Sequence, residues 1–242
     1  MFFDAHPRFY GTSETAAGRA RLNLRYEGIL AENRDILDGA KVLDIASHDG
    51  RWSAAALECG ARSVIGIEAR PDLVAHATAN LEHYGYRSDW YRFVVGDVHD
   101  VLNSDAFDVD VVLCLGFLYH TLRYNELFRG IRGTGARHLI IDTEAPAMMR
   151  QQASIRVFSE PSDKQSAAAA DAFTFGTSVL TGRPNLAAIR TMLDCYDYQI
   201  ERLSDWAGVL RDNPQLKGCV DYAKEYRVTL RCMDNAGASP SS

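Results

Sequence analysis

The chain of 242 residues is short of several features, and each shortage excludes something. No apolar run approaches the roughly 18 residues that a membrane span needs. The five cysteines, Cys59, Cys114, Cys195, Cys219 and Cys232, are odd in number, widely spaced and contain no C-x-x-C. That argues against a disulfide framework and against a zinc knuckle. A G-x-G-x-x-G turn is absent, which disfavours a nicotinamide-dependent oxidoreductase. Positive charge is scarce: 26 Lys and Arg face 32 Asp and Glu, for a net charge of −6. Sequence-independent binding to a nucleic-acid backbone needs clustered positive charge, so nucleic acid is disfavoured as a partner. The start, Met1-Phe2-Phe3-Asp4-Ala5-His6-Pro7-Arg8, has no basic segment followed by an apolar one, so it does not read as a secretory leader. The expectation is a cytoplasmic protein.

What is present is an ordinary globular composition, 47% apolar and 24% charged, in a length that suits one large domain. Residues 1–37 read as an N-terminal arm and helix, mixed and polar to residue 18 and then helical from Arg21 to Leu37, with a break at Asn33. From residue 38 short Val/Ile/Leu runs alternate with helical stretches. Strands are predicted at Lys41–Ala46, Ser63–Ile67, Tyr91–Val95, Val109–Leu115 and Arg137–Asp142. Helices are predicted at Trp52–Cys59, Leu73–Tyr84 and Tyr124–Ile131. Runs apolar on both faces, alternating with helices, imply a parallel sheet covered on both sides. The rhythm stops near Pro146. Residues 146–183 are predicted to be a lid insertion with room for a short helix near Ala167–Ala170. A helix at Asn185–Tyr196 and strands at Gln199–Leu203 and Tyr226–Cys232 follow. The main domain thus spans 38–233, and the tail 234–242 is expected to be disordered.

Three acids fall at successive strand ends: Asp44, Glu68 and Asp97. In a parallel sheet the ligand crevice lies at the carboxyl ends of strands. An acid at Glu68 can accept from both hydroxyls of a ribose, and one at Asp97 from the exocyclic amine of a purine. Such a row favours a ligand with hydroxyls, an amine and positive charge. It disfavours a pyrophosphate, which wants Gly or Arg.

At these residues the sequence resembles the class I S-adenosylmethionine-dependent methyltransferases. Their first motif stands here as Asp44-Ile45-Ala46-Ser47-His48-Asp49-Gly50, the second as Val64-Ile65-Gly66-Ile67-Glu68, the third as Gly96-Asp97-Val98, and the fourth as Phe107 to Gly116. The resemblance covers about residues 38–145. It implies a Rossmann-like, doubly wound α/β fold with a mostly parallel seven-stranded sheet, helices on both faces and a lid after the fifth strand. It implies S-adenosyl-L-methionine as cofactor, with Asp44 and the turn carrying Ala46, His48 and Gly50 at its methionine part. Glu68 would serve the ribose, Asp97 the adenine, and Val98 and Leu115 would join the cofactor pocket. Two of the usual glycines are Ala46 and His48, and a side chain at His48 requires an unusual backbone or touches a ligand. The run Leu115-Gly116-Phe117-Leu118-Tyr119-His120 is similar to methyltransferases related to the bacterial tRNA wobble-uridine carboxymethyl-transfer enzyme, a group with many small-molecule methyltransferases.

Methyl transfer to a hydroxyl needs the nucleophile about 3–3.5 Å from the methyl and a base to take its proton. Tyr119 and His120 follow the fourth strand and are the candidates for that step, with His120 as base. Asp142 and Glu144 follow the fifth strand. With His120 they are a weaker candidate set for a divalent metal, against the expectation of no metal. Arg51 reads as a solvent-facing residue or a partner of a cofactor carboxylate, and Trp52 as core. Phe173, Phe175 and Met148-Met149 wall an apolar substrate pocket or form lid core. The leading expectation is methylation of a small molecule at oxygen: a sugar, lipid acid or secondary metabolite. The competitors are a tRNA- or RNA-modifying enzyme, favoured if Arg123, Arg129, Arg132, Arg137 and Arg150 formed a basic face, and a non-catalytic cofactor-binding or interaction module. The sequence does not give the oligomeric state; a homodimer is the assembly that analogy with the fold offers.

Overall fold

Strands that are apolar on both faces are satisfied only inside a sheet covered on both sides, and Val111–Leu115 is buried at every position. A computed structural model describes residues 1–14, 18–146, 152–214 and 219–235. Its strands are β1 (Lys41–Ile45), β2 (Ser63–Glu68), β3 (Tyr91–Val95), β4 (Val111–Leu115), β5 (His138–Glu144), β6 (Ile155–Pro161), β7 (Ser178–Pro184), β8 (Tyr198–Leu203) and β9 (Arg227–Asp234). The α-helices are α1 (Phe2–Ala5), α2 (Arg19–Arg25), α3 (Arg34–Leu37), α4 (Arg51–Glu58), α5 (Pro71–His83), α6 (Val98–Ser104), α7 (Tyr124–Gly133), α8 (Leu186–Cys195), α9 (Trp206–Asp212) and α10 (Val220–Ala223).

Seven strands form one sheet in the order β3-β2-β1-β4-β5-β9-β8. The pairs β2/β3, β1/β2, β1/β4 and β4/β5 are parallel, and β9 runs antiparallel to both β5 and β8. This is the expected doubly wound α/β architecture. The strand order reverses between β1 and β4, so the crevice opens at their carboxyl ends. Register carries the site residues to one edge: Leu115 lies opposite Asp142, and Asp142 opposite Thr229. One apolar cluster, including Val42, Trp52 and Leu113, covers one face. The other, including Leu43, Val112, Phe128 and Ile189, covers the opposite face. Helix α7 contributes Tyr124, Leu127, Phe128 and Ile131, the spacing of a single buried stripe.

Two expectations change here. The first residues do not form a polar arm. Phe3 and Phe9 are fully buried, and Phe3 meets the Trp52 ring edge-on at 5.6 Å. The stretch 21–37 is helical throughout but irregular, with a π-turn at Tyr26–Leu30 and a 3-10 turn at Ala31–Asn33 between α2 and α3. The break at Asn33 has a cause. Its buried amide donates back to the Ile29 carbonyl at 2.7 Å and accepts from Arg202 at 2.7 Å.

The lid is also different from the expectation. It is a two-stranded antiparallel ribbon, β6 against β7, separate from the main sheet, and Ala167–Ala170 is not helical. The Met148-Met149 pair, Arg150 and residues 236–242 of the tail lie outside the described residues. No helix among the described residues is long and apolar enough to cross a membrane.

Candidate active site

The exit from β1 is built on left-handed backbone. Ala46, His48 and Gly50 have φ of 53°, 55° and 79°. Gly50 is required there, because a Cβ would also press on Ala77 at 3.0 Å. Ala46 and His48 hold the same region at a cost of about 1 kcal/mol each, the kind of strain that a ligand loop retains. The turn is tied to β2: the Ser47 amide donates to the Ile67 carbonyl at 2.9 Å, and the His48 amide to Glu68 Oε2 at 3.1 Å. Glu68 Oε1 accepts from the Arg70 amide at 3.0 Å. The carboxylate of Glu68, nearly buried, thus joins the two strand exits and forms part of the wall of a cavity of about 620 Å³.

That cavity runs along the carboxyl edge of the sheet. Of the residues singled out in the sequence, Ala46, His48, Glu68, Asp97, Val98, Leu115, Tyr119 and His120 line it, as do Phe173, Phe175, Arg51 and Trp52. Asp44 and Gly50 lie behind its wall. Asp44 is fully enclosed and accepts from Ser53 Oγ at 2.7 Å. Burial pushes its carboxyl up to about 7 against that hydrogen bond, with the charges of Glu68 and Asp49 adding to the rise. An acid whose folded value is raised loses stability as pH climbs from its unfolded value of about 3.9 to its folded value. Asp44→Asn keeps an oxygen for Ser53 and carries no charge. It should therefore leave the protein unchanged near pH 4 and stabilise it at pH 8 by a few kcal/mol, on the order of the shift. Thermal melts of both proteins across this range read the effect, and a destabilised variant at pH 8 would contradict it.

At the exit of β3, Asp97 caps α6 by accepting from the His99 and Asp100 amides. Burial pushes its carboxyl up, but His99 and Arg123 outweigh this and hold it below the usual carboxylate range. Arg123 binds Asp97 at 3.2 Å and also reaches Asp100, Glu126 and, from the lid, Asp171. Arg132 pairs with Asp234. Two arginines of the proposed basic face are thus committed to carboxylates.

Beyond β4, Gly116 turns at φ 93° and the chain closes a 3-10 turn over Leu118–His120. Nδ1 of His120 lies 2.7 Å from Oε2 of Glu160, on lid strand β6. Glu160 also accepts from the Ala168 amide at 3.0 Å. Burial raises the Glu160 carboxyl, and the imidazole outweighs it, so the group stays below its usual range. The sequence reading did not single out Glu160, which is 40 residues from its partner.

The lid is tied down from the other side by Arg70, whose Nη2 donates to the carbonyls of Ser162, Lys164 and Ala167. Gln165 of the same loop binds Asp72 and accepts from the Glu14 amide. Arg70→Ala should raise amide hydrogen exchange across 162–169 by about tenfold or more while β1 to β5 keep their protection. Unchanged exchange in the loop would mean that Arg70 does not hold it.

The candidate metal set does not assemble. Asp142 is fully buried, and its oxygens are taken by Arg25 at 3.0 Å, Arg227 at 2.5 Å, Tyr222 at 2.9 Å and Thr229 at 2.8 Å. Glu144 faces Arg183 at 2.8 Å, and His120 faces Glu160. A carboxylate saturated by donors has no lone pair left for a cation, and no metal-binding cluster of His, Cys, Asp and Glu occurs among the described residues. Arg51 is likewise not a solvent-facing residue. It is buried and binds Asp49 through Nε and Nη2 at 2.7 and 2.8 Å. Asp108 and Asp110 sit at the far end of the sheet, where both bind Lys41.

A family model described as a methyltransferase domain matches residues 42–134. No curated protein matches the sequence. Among solved structures, an S-adenosylmethionine dependent methyltransferase from Mesorhizobium loti superposes with a TM-score of 0.60 at 16% identity, over 88% of this chain and 99% of that one. The magnesium protoporphyrin IX methyltransferase from Synechocystis PCC 6803 with bound SAH gives 0.56 at 19%, over 96% and 94%. The N-terminal domain of EvdMO1, solved in the presence of SAH and D-fucose, gives 0.57 at 14%, over 91% and 84%. At these identities the structures speak for the fold, and the family model speaks for the four motif-bearing strands. Residues 42–134 thus match the methyltransferase-domain family, and the fold around them is the one that S-adenosylmethionine-dependent methyltransferases adopt.

Proposed function

We propose that this protein transfers a methyl group from S-adenosylmethionine to an oxygen atom of a small-molecule acceptor. The observation that carries the reading is one cavity whose wall presents Glu68 and Asp97 at one side and His120, held from behind by Glu160, at the other. The residues fit the cofactor by their chemistry. Acceptor oxygens at two neighbouring strand ends suit a ligand rich in donors and positive charge, and Gly116 leaves its part of the wall free of a side chain. Bound there, S-adenosylmethionine supplies a methyl group on a sulfonium.

Glu68 would accept from the ribose hydroxyls and Asp97 from the adenine amine. Left-handed Ala46 and His48 bring backbone to the methionine end. Glu160 holds Nδ1 of His120, which leaves Nε2 as the nitrogen that can take a hydroxyl proton. Tyr119, its ring 4.2 Å from that of His120, forms the neighbouring wall. The lid, tied by Arg70, excludes water from this edge. Within the class, the Leu115–His120 run favours the group related to the tRNA wobble-uridine enzyme, and a cavity of about 620 Å³ favours its small-molecule members.

Titration calorimetry with S-adenosylmethionine and S-adenosylhomocysteine tests the first half, and absence of binding of both would overturn the assignment. A labelled-methyl screen over hydroxylated metabolites and tRNA tests the second. On the acceptor found, His120→Ala should lower turnover by about 10²–10⁴-fold. Full activity would remove His120 from the proton step.

A further inference from the structure

We propose that the cavity contains an anion subsite, built from Arg25 and Arg227 about Asp142, that anchors a carboxylate of the methyl acceptor. This rests on the reading above of where the cofactor lies.

Charge pairing at this end of the cavity is incomplete. Arg21 is matched by a two-pronged pair with Asp221 at 2.7 and 2.6 Å, and Arg51 by Asp49. Arg25 and Arg227 share Asp142, and the other carboxylate near Arg227, Asp221 at 4.0 Å, is the one already paired with Arg21. The Nη2 atoms of both fall on Oδ1 of Asp142, and Oδ2 is occupied by Tyr222 and Thr229. Glu144, also in the wall, is matched by Arg183. Among the described residues one guanidinium charge is therefore in surplus. It is held where the side chains are only 13% and 5% exposed, and the Nε of each arginine makes no hydrogen bond. An uncompensated charge at such depth is costly, and a ligand carboxylate would offset it. Both arginines line the cavity, and the flat guanidinium fork matches a carboxylate in shape and charge.

Position separates this subsite from the cofactor. Glu68 and Asp97 follow β2 and β3, on one side of the switch between β1 and β4. Asp142 and Arg227 belong to β5 and β9, the next two strands on the other side. With strands about 4.8 Å apart, Arg227 stands about 10 Å past β4. Its guanidinium also lies over the Tyr119 ring at 5.3 Å, so an anion bound there neighbours the transfer residues. Two cations drawing on a carboxylate make it an anchor and a poor nucleophile. The reacting hydroxyl is then a second group of the same molecule, presented to His120.

The test uses the full chain saturated with S-adenosylhomocysteine. Benzoate and butyrate are titrated beside their neutral isosteres benzamide and butyramide. A carboxylate should bind at least about tenfold more tightly than its amide, and Arg25→Gln and Arg227→Gln should each weaken it by about 10–100-fold. Arg227→Lys, which keeps a charge beside Asp142, guards against a folding artefact, and melting curves are read for all variants. Equal binding of acid and amide overturns the subsite, as does indifference of the carboxylate to both Gln variants. Weaker S-adenosylhomocysteine binding in those variants with unchanged 5′-methylthioadenosine binding also overturns it, since the arginines would then hold the cofactor's own carboxylate. If the wild type binds no S-adenosylhomocysteine, the functional reading fails instead. Titration of the ligand-free chain then still reads the subsite.

Discussion

Asp142→Asn is expected to cost the protein about 3–5 kcal/mol, because it strips the shared counter-charge from one buried and one largely buried guanidinium group. For a chain of this length that is a fall in melting temperature of about 6–20 °C. Volume and shape are conserved in the substitution, so the loss would be electrostatic and not a packing defect. The double variant Asp142→Asn, Arg227→Gln should recover part of it, since one orphaned charge disappears with the arginine. A loss of less than about 1 kcal/mol would mean that water reaches the guanidinium groups and replaces the carboxylate. Acid should reproduce the effect in the wild type. Burial raises the Asp142 carboxyl, yet Arg227 and Arg25 outweigh it and bring it down to about 2. A depressed acid stabilises fully above its unfolded value of about 3.9, and that contribution is lost as pH falls through the folded value. The window is therefore roughly pH 4 down to 2, opposite in sign and position to that of Asp44.

Glu68→Ala should weaken S-adenosylmethionine by about 100-fold or more. Removing this side chain strands the His48 and Arg70 amides, which hold the β1 turn and the start of α5, and deletes the oxygens proposed for the ribose. Glu68→Gln retains one acceptor and should fall between, near tenfold. Calorimetry at constant pH reads both. The thermal shift on adding ligand gives an independent check, because a ligand bound only by the folded chain raises its melting point. An Ala variant that binds as the wild type does would place the ribose elsewhere along the cavity.

The sheet was legible because its signal is local. Buried parallel strands such as Val111–Leu115 leave an unbroken apolar run, and the acids at their ends stand out against it. The ribbon was not legible. Ile155 and Val157 alternate, but both remain exposed, since β6 buries neither face and the ribbon packs on the body through β7, at Val179 and Thr181. Helix α6 was missed for its brevity, and its signal is chiefly the cap at Asp97. In the site, Ala46, His48, Glu68 and Tyr119 could be placed because each adjoins a strand end. Arg25, Arg227 and Glu160 could not. Charged residues in isolation read as surface, and their partners lie 117, 85 and 40 positions away. Only the topology brings such pairs together.

The ribbon leaves and rejoins the body at neighbouring points, with Ile155 opposite Pro184 at its base. An insertion tethered in this way is interchangeable. A different β6–β7 hairpin could be grafted between the same two positions without moving β5 or α8. Because Glu160, Asp171 and Phe173 travel with the hairpin while Glu68 and Asp44 stay behind, the chain is organised for exchange of one half of its chemistry. New acceptors could be acquired by recombination of some thirty residues, with the cofactor end inherited unaltered.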